Sequence, residues 1–455
     1  MKPLRIAYLG GGSRLWARSL MSDLAVEEQL TGTVVLYDID QEAAKRNQRL
    51  GTLMNRLPEA KGRFDYVVAD TLHEALEGAD FVLISILPGT FDDMAHYVHG
   101  TEPYGVYQTV GDTAGVSGMF RSLIMMPIYE TFADAIRRHC PDAWVLNFTN
   151  PMSMCVQTLY HVFPKIKAFG NCHEVFFVQK ILARCYQEAT GKKISFKDVQ
   201  INVQGINHFT WINRATVEDV DLFPLYREFA LQYREVGLSG EDWIHVGPFG
   251  SAEKVKLDLF LKTGVIAAAG DRHLVEFLPH DPYLKDLDAI RHWRFFLTPV
   301  ELRKHIMSRG DQTARRIIDG LEVPRITPSG EEGLAQIRAL VGLETLVTNV
   351  NMPNVGQIAN LPKGHVVETN ALFRKDSVEP VFSGTMPSTP RRMTLPHLKI
   401  HDALIEAFDK KSLAIAKAAL RSDPSTSHLD DATLDRMFED IAGKLKPALR
   451  HYTQQ

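Results

Sequence analysis

Two groups of residues carry chemistry beyond a structural role. The first is a set of segments, Asn147-Phe148-Thr149-Asn150-Pro151, Gly170-Asn171-Cys172-His173-Glu174 and Gly205-Ile206-Asn207-His208. Each follows an apolar run, so Cys172 and His208 can converge as thiolate and imidazole ligands on one divalent ion. Taken singly these side chains have bland readings: a lone cysteine is commonly a small buried hydrophobe, and a lone histidine a hydrogen-bonded structural residue. Together at successive strand ends they favour a site. The second group is Gly10-Gly11-Gly12-Ser13, a glycine turn where backbone amides and a helix dipole can hold a pyrophosphate. Leu15 stands at the fingerprint position where Gly or Ala is usual, so a plain strand-to-helix turn is the competing reading. Asp38, closing Leu36-Tyr37-Asp38, shifts the balance towards NAD. A carboxylate there accepts from both ribose hydroxyls and repels the extra phosphate of NADP. Ser85 and Asn147, at later strand ends, are further candidate cofactor contacts.

Such residues need a scaffold that gathers strand ends. Short apolar runs alternate with helix-period segments: Arg5 to Leu9, then Trp16, Leu20 and Leu24 on one helix face, then Val34 to Tyr37, Tyr66 to Ala69 and Phe81 to Ile86. Runs at Trp144 to Leu146 and Ile166 to Phe169, after a helical stretch Ile124 to Arg138, continue that rhythm. It predicts an α/β fold whose N-terminal domain, residues 1–170, is a Rossmann-type doubly wound parallel sheet. Beyond it lie Ile201 to Gly205, a helical Ala252 to Leu261 and a Gly/Pro-marked segment Pro324 to Gly333. These predict an α+β domain over residues 171–455, carrying substrate, metal and oligomerisation surfaces. Leu404 to Leu420 and Leu429 to Leu449 read as helices.

The chain's 455 residues are enough for two domains. A net charge of -4, with 23% charged and 45% hydrophobic residues, leaves no basic excess for a nucleic-acid partner. The run Leu4 to Leu9 is too short for a membrane span or signal segment and passes straight into glycines, so a cytoplasmic protein without a membrane partner is expected. Four cysteines (Cys140, Cys155, Cys172, Cys185) with no CxxC pair argue against a disulfide framework. Any special cysteine is then reactive or ligating.

These segments, with the glycine turn and Asp38, resemble glycoside hydrolase family 4, whose relatives by fold are the lactate and malate dehydrogenases. The resemblance covers nearly the whole chain and extends through Gly270-Asp271-Arg272-His273 and Asn349-Val350-Asn351-Met352-Pro353-Asn354. In that family Cys-Asn and Cys-Asp forms accompany 6-phosphoglycosides, whereas Cys-His forms accompany non-phosphorylated α-glycosides and uronides. Cys172-His173-Glu174-Val175 is a Cys-His form. Ile86-Leu87-Pro88-Gly89 and Gly270-Asp271-Arg272-His273-Leu274 are most similar to the branch acting on α-galacturonides. Two departures stand out. The loop usually written Gly-Pro-Gly-Gly reads Gly115-Val116-Ser117-Gly118, and Ile124 occupies the place, three residues after Arg121, where an arginine is expected.

The resemblance implies a glycosidase that requires NAD and a divalent metal. NAD takes a hydride from carbon 3, the ketone acidifies carbon 2, elimination expels the aglycone, water adds, and the hydride returns. The resemblance also implies Cys172 and His208 as metal ligands, His173 as the acid at the leaving oxygen and Asp271 as the carbon 2 base. Asn150 would contact sugar hydroxyls, and Arg121 is a further candidate substrate contact. Open positions for sugar oxygens make Mn²⁺ a better fit than the Zn²⁺ that a thiolate alone would suit. Arg272 and His273 offer charge-assisted bonds to a uronate carboxylate. The competing role for Asp271 is a salt bridge to Arg272 or His273, and Asp112 has no assigned role. Alternatives within the family are an α-glucosidase, α-galactosidase or α-glucuronidase. A 2-hydroxyacid dehydrogenase shares the cofactor domain but needs no metal, and a non-catalytic NAD sensor needs no thiol, imidazole and carboxylate at strand ends. A homodimer or homotetramer is expected.

Overall fold

The computed structural model of the chain describes residues 2–240, 245, 247 and 249–452. The predicted apolar runs form six strands: β1 (Leu4–Leu9), β2 (Thr31–Tyr37), β3 (Arg63–Val68), β4 (Phe81–Ile84), β5 (Trp144–Asn147) and β6 (Lys167–Gly170). They pair in parallel in the order β3-β2-β1-β4-β5-β6. The direction of building reverses between β1 and β4, which opens a crevice at the carboxyl ends of the strands. The central runs are continuous because both faces are covered, with β4 and β5 buried at every position, whereas the edge strand β3 alternates buried and exposed residues. One face packs under helix Gly115–His139 and the C-terminal helices Ser388–Asp409 and Asp431–Lys444. The other carries helices Trp16–Ala25 and Gly333–Leu340.

A separate antiparallel sheet is built from β7 (Gln200–Ile206), β8 (Phe209–Val217), β9 (Val220–Asp221) and β10 (Ile266–Ala267). The first sheet does not stop at β6. β11 (Leu346–Pro353), β12 (Val366–Arg374) and β13 (Ser377–Pro380) continue it antiparallel, joined where Asn351 pairs with Gly170. Residues beyond 170 therefore form a second sheet and also complete the first. Among the described residues no helix is long and apolar enough to cross a membrane. Cys140, Cys155 and Cys185 are buried free thiols, and Cys172 is half-buried.

Candidate active site

β1 runs into Gly10, whose φ is +93°, and the amides of Gly10 and Gly11 both donate to the Tyr37 carbonyl at 2.9 Å. The turn lies so near β2 that a Cβ on Gly11 would sit 2.7 Å from Leu36 Cβ. One on Gly12 would sit 2.8 Å from Asp38 Oδ2. Glycine here answers a lack of room as well as an unusual φ. Asp38 accepts from Gly12 N at 2.8 Å and from Asp40 N at 2.9 Å. Burial raises its pKa, with the two amides acting against the rise. The helix starts at Trp16, three residues past Ser13, and its N-cap residue Leu15 supplies no side-chain cap. Ser13 Oγ accepts from the Trp16 amide at 3.1 Å, and the glycine turn together with the positive end of this helix fits a dinucleotide's pyrophosphate. Ser85 is buried behind the turn, its amide donating to Leu9 O. Asn147 departs from expectation. It is fully buried, its Oδ1 accepting from Tyr129 OH at 2.5 Å and its Nδ2 donating to Thr149 O at 2.9 Å. Its amide shapes the chain leading to Asn150 and is not presented to a cofactor.

The strand ends open into a cavity of about 750 Å³. On its wall Asp112, His208 and His273 bring one ligand atom each within 4.8 Å of the others. His208 sits in the β7–β8 turn at φ 63°, a left-handed conformation uncommon for non-glycine residues, though histidine adopts it more readily than most, and such residues cluster at functional sites. Its ring stacks on His273 with centroids 3.8 Å apart. Thr113 Oγ1 lies 2.7 Å from Asp112 Oδ1 and 2.8 Å from His208 Nδ1. One hydroxyl carries one proton, and an ionised Asp112 can only accept. Thr113 therefore donates to Asp112 and accepts from Nδ1–H of His208, which leaves the imidazole lone pair on Nε2. Burial, with His273 beside it, pushes the His208 pKa down to about 3, so the ring is neutral at pH 7. Burial opposes an ionised Asp112, yet His273, His208, Arg121 and Arg303 hold its pKa well below the usual carboxylate range. A neutral imidazole with a fixed lone pair is the metal-binding form. Gly118 makes the arrangement possible, because a Cβ there would lie 2.3 Å from the Thr113 carbonyl oxygen.

Cys172 lines the same cavity, outside that compact group. Burial, then the carboxylates of Glu368 and Glu174, raise its thiol pKa well above the ordinary value. A thiolate there needs a cation beside it. Imidazole, carboxylate and thiol donors together fit a divalent ion. Asn150 Nδ2 donates to Asp112 Oδ2 at 3.3 Å, while its Oδ1 is buried without a partner. His173 faces the cavity near Trp16 and Phe177, its Nδ1 3.1 Å from Glu331 Oε1. Burial disfavours its charged form, but Glu331 raises its pKa above the ordinary histidine value. His273 is likewise raised against burial by Glu174, 3.4 Å away, and by Asp112.

Three further expected roles need correction. Asp271 is completely buried and is absent from the cavity wall. It opens the four-residue helix Asp271–Leu274, and its oxygens accept from the amides of Val255 and Lys256 at 2.9 Å each, at the start of helix Lys254–Thr263. Successive residues of a helix point different ways, so Arg272 and His273 reach the cavity while Asp271 caps a neighbour. Arg121 is buried off the cavity wall, its Nε donating to Asn150 O at 2.9 Å and Nη1 to Tyr97 OH at 3.3 Å. It positions the Asn150 turn. Ile124 packs in the core on the same helix, so that departure changes packing and not an anion contact. Arg272 lines the cavity, but Nε, Nη1 and Nη2 donate to the carbonyls of Phe296, Phe249 and Thr109 at 2.9, 3.0 and 2.6 Å.

A cation unsuspected from the sequence is Arg303, on helix Val300–Ile318. It lines the cavity with Nη2 on Val110 O at 3.1 Å, its Nε buried without a partner and its guanidinium 5.7 Å from the Phe249 ring centre. Only Val300 and Ala314 of that helix are buried, so no apolar pattern or motif marks it. Glu174 and Asp112, by contrast, lie within or beside segments whose chemistry was legible.

Family models match the chain in two parts: family 4 glycosyl hydrolase over residues 5–188, and its C-terminal domain over residues 203–426. Alpha-galacturonidases of Thermoanaerobacterium saccharolyticum and Bacillus subtilis are 48% and 46% identical to it. These alignments cover 98% and 96% of this chain and 96% of each relative. The crystal structure of lplD from Bacillus subtilis is similar with a TM-score of 0.91 and 45% identity, over 96% of this chain and 99% of that one. A 6-phospho-alpha-glucosidase from gut microorganisms, solved with NAD and Mn²⁺, shares the fold at 18% identity and a TM-score of 0.81, over 98% and 99% of the two chains. By sequence over both halves and by fold, the chain belongs to glycosyl hydrolase family 4.

Proposed function

We propose that the chain hydrolyses α-galacturonides, with NAD and a divalent ion, preferentially Mn²⁺, held in the cavity. The reading is carried by the Asp112–Thr113–His208 relay, which presents a neutral imidazole to the cavity that Cys172 also lines, in a chain whose relatives at 46–48% identity are named alpha-galacturonidases. When bound, NAD supplies a reversible hydride acceptor for carbon 3, and the ion supplies Lewis-acid polarisation of the sugar oxygens. His208 Nε2, Cys172 and Asp112 would hold the ion. Gly10, Gly11, Gly12 and Ser13 with helix Trp16–Ala25 would hold the pyrophosphate, and Asp38 the ribose diol, with Ser85 backing the turn.

His173, protonated more readily beside Glu331, gives a proton to the leaving oxygen. Asn150 accepts from a sugar hydroxyl through its unpartnered Oδ1, its backbone fixed by Arg121. Since Asp271 does not reach the cavity and Glu253 is paired with Lys256, removal of the carbon 2 proton is assigned to Glu174, which, against burial, His273 and the Gly270 amide keep ionised at the cost of some basicity. Arg303 pairs with the uronate carboxylate. Arg272 adds positive charge nearby, but its donors serve backbone carbonyls, and His273 is held by Glu174. The enzyme works in the cytoplasm, where NAD and reduced thiols are supplied. Association into a homodimer or homotetramer would cover the exposed Val347, Val355 and Phe382 around the added strands. The test is a panel of nitrophenyl α-galacturonide, α-galactoside and α-glucoside with NAD, Mn²⁺ and a thiol reductant. Cleavage of the galacturonide without steady release of NADH is expected. Faster cleavage of the galactoside would overturn the substrate, and steady NADH release would point to a dehydrogenase.

A further inference from the structure

At the opposite end of the parallel sheet, just ahead of β4 and β5, three side chains meet that have no part in the cavity. His73 lies in the short helix Leu72–Leu76, Glu77 caps that helix, and His139 ends helix Gly115–His139. His73 Nδ1 and His139 Nδ1 are 2.9 Å apart, and Glu77 Oε2 is 3.5 Å from each. The same three atoms define all three distances.

A hydrogen bond between two neutral imidazoles accounts for the 2.9 Å edge alone. It leaves the carboxylate oxygen equidistant from both rings, at the outer limit of a hydrogen bond to either. An ion bound at about 2.1 Å to nitrogen and oxygen ligands, at angles between 90° and tetrahedral, requires ligand-to-ligand edges of about 3.0–3.4 Å. The three edges, 2.9, 3.5 and 3.5 Å, each fall about 0.1 Å outside that range, close to what such an ion would need. Its position adds a second reason: a cation at the C-terminal end of a 25-residue helix meets the negative pole of the helix dipole. Of the two basic residues preceding His139, Arg137 is paired with Asp134 at 2.7 Å and Arg138 donates to the Asp134 carbonyl.

We propose that His73, Glu77 and His139 form a second divalent-metal site that ties the short helix to the end of the long one. Two imidazoles and one carboxylate, with the remaining positions open to water, suit Zn²⁺ and its neighbours Ni²⁺ and Co²⁺, and bind Mn²⁺ more weakly. The site lies at the far end of a helix roughly 37 Å long from the Asp112 loop, so it serves stability and not turnover.

The experiment is a titration of chelator-treated full-length chain with Zn²⁺, comparing wild type with His73→Gln, Glu77→Gln and His139→Ala. Any zinc taken up in the cavity is common to all four and cancels in the comparison. Wild type should bind one more Zn²⁺ per chain than each variant, and its melting temperature should rise on adding Zn²⁺ by a step that the variants lack. Activity with NAD and Mn²⁺ should be the same in all four. Equal zinc stoichiometry in wild type and variants, or an equal zinc-induced rise in melting temperature, would overturn the site and leave a hydrogen-bonded histidine pair. His73→Gln changes a side chain that is 61% exposed, so it remains an interpretable variant if His139→Ala folds poorly.

Discussion

Replacing Arg303 with methionine keeps an unbranched apolar stem and removes the guanidinium. The structure gives this group one carbonyl partner, Val110 O, and a buried Nε with none, on a cavity wall where Arg272 already serves three carbonyls. A uronate carboxylate would therefore gain at least one charge-assisted bond there, and a bidentate pair if Nε takes part. Bonds to charged groups contribute about 1.5–3 kcal/mol each, so the variant should lose about 2–4 kcal/mol of transition-state binding with the galacturonide. At 1.4 kcal/mol per decade this is roughly a 30- to 700-fold fall in kcat/KM. Arg303 also helps keep Asp112 ionised, and that effect falls on every substrate alike. The diagnostic quantity is therefore the ratio of kcat/KM for nitrophenyl α-galacturonide over the α-galactoside, which cancels it. The ratio should collapse in Arg303→Met. In Arg272→Met it should hold, while the melting temperature falls through loss of the three carbonyl contacts. An unchanged ratio in Arg303→Met, or a collapse confined to Arg272→Met, would refute the assignment.

Cys172→Ser and His208→Ala should each lose bound metal and activity while keeping NAD affinity, as measured by metal analysis and calorimetry. Thr113→Val, which frees the His208 tautomer without touching an ion, should weaken metal binding about 10- to 100-fold. Asp271→Asn should cost about 1–3 kcal/mol of stability by leaving one helix amide poorly paired, yet still permit deuterium uptake at carbon 2 in D₂O. Glu174→Gln should suppress that uptake, and the reverse pattern by NMR of the product would return the base to Asp271. Wild type should bind NAD more tightly than NADP in a calorimetric titration, and equal affinities would remove Asp38 as the ribose ligand.

The parallel strands were legible because the central ones, β4 and β5, are buried on both faces and apolar throughout, while the edge strand β3 still shows through its alternating buried Phe64 and Tyr66, and the glycine turn because only glycine fits against Leu36. β11 was not, since Asn349 and Asn351 are buried polar residues, and a strand that carries them loses its apolar signature. The cysteine and histidine segments announced their chemistry through residue type. Side-chain direction was another matter: Asp271 and Arg272 are adjacent, yet one caps a helix and the other faces the cavity. Spacing alone does not distinguish them on a four-residue helix. Arg303 reaches the site from a helix with no local mark, so only tertiary contact reveals it.

The joining of β11 to β6 sets an order of events at birth. When the ribosome has delivered Gly170, one edge of β6 has no partner, and its partner Asn351 follows about 180 residues later. At translation rates of about 5–20 residues per second, that edge stays open for roughly 10 to 35 s. An uncovered strand edge is a template for pairing with another chain. Nascent copies on one polysome are thus exposed to edge-to-edge association during this interval, and slower synthesis of residues 171–345 should lower the soluble yield even though every native contact is unchanged.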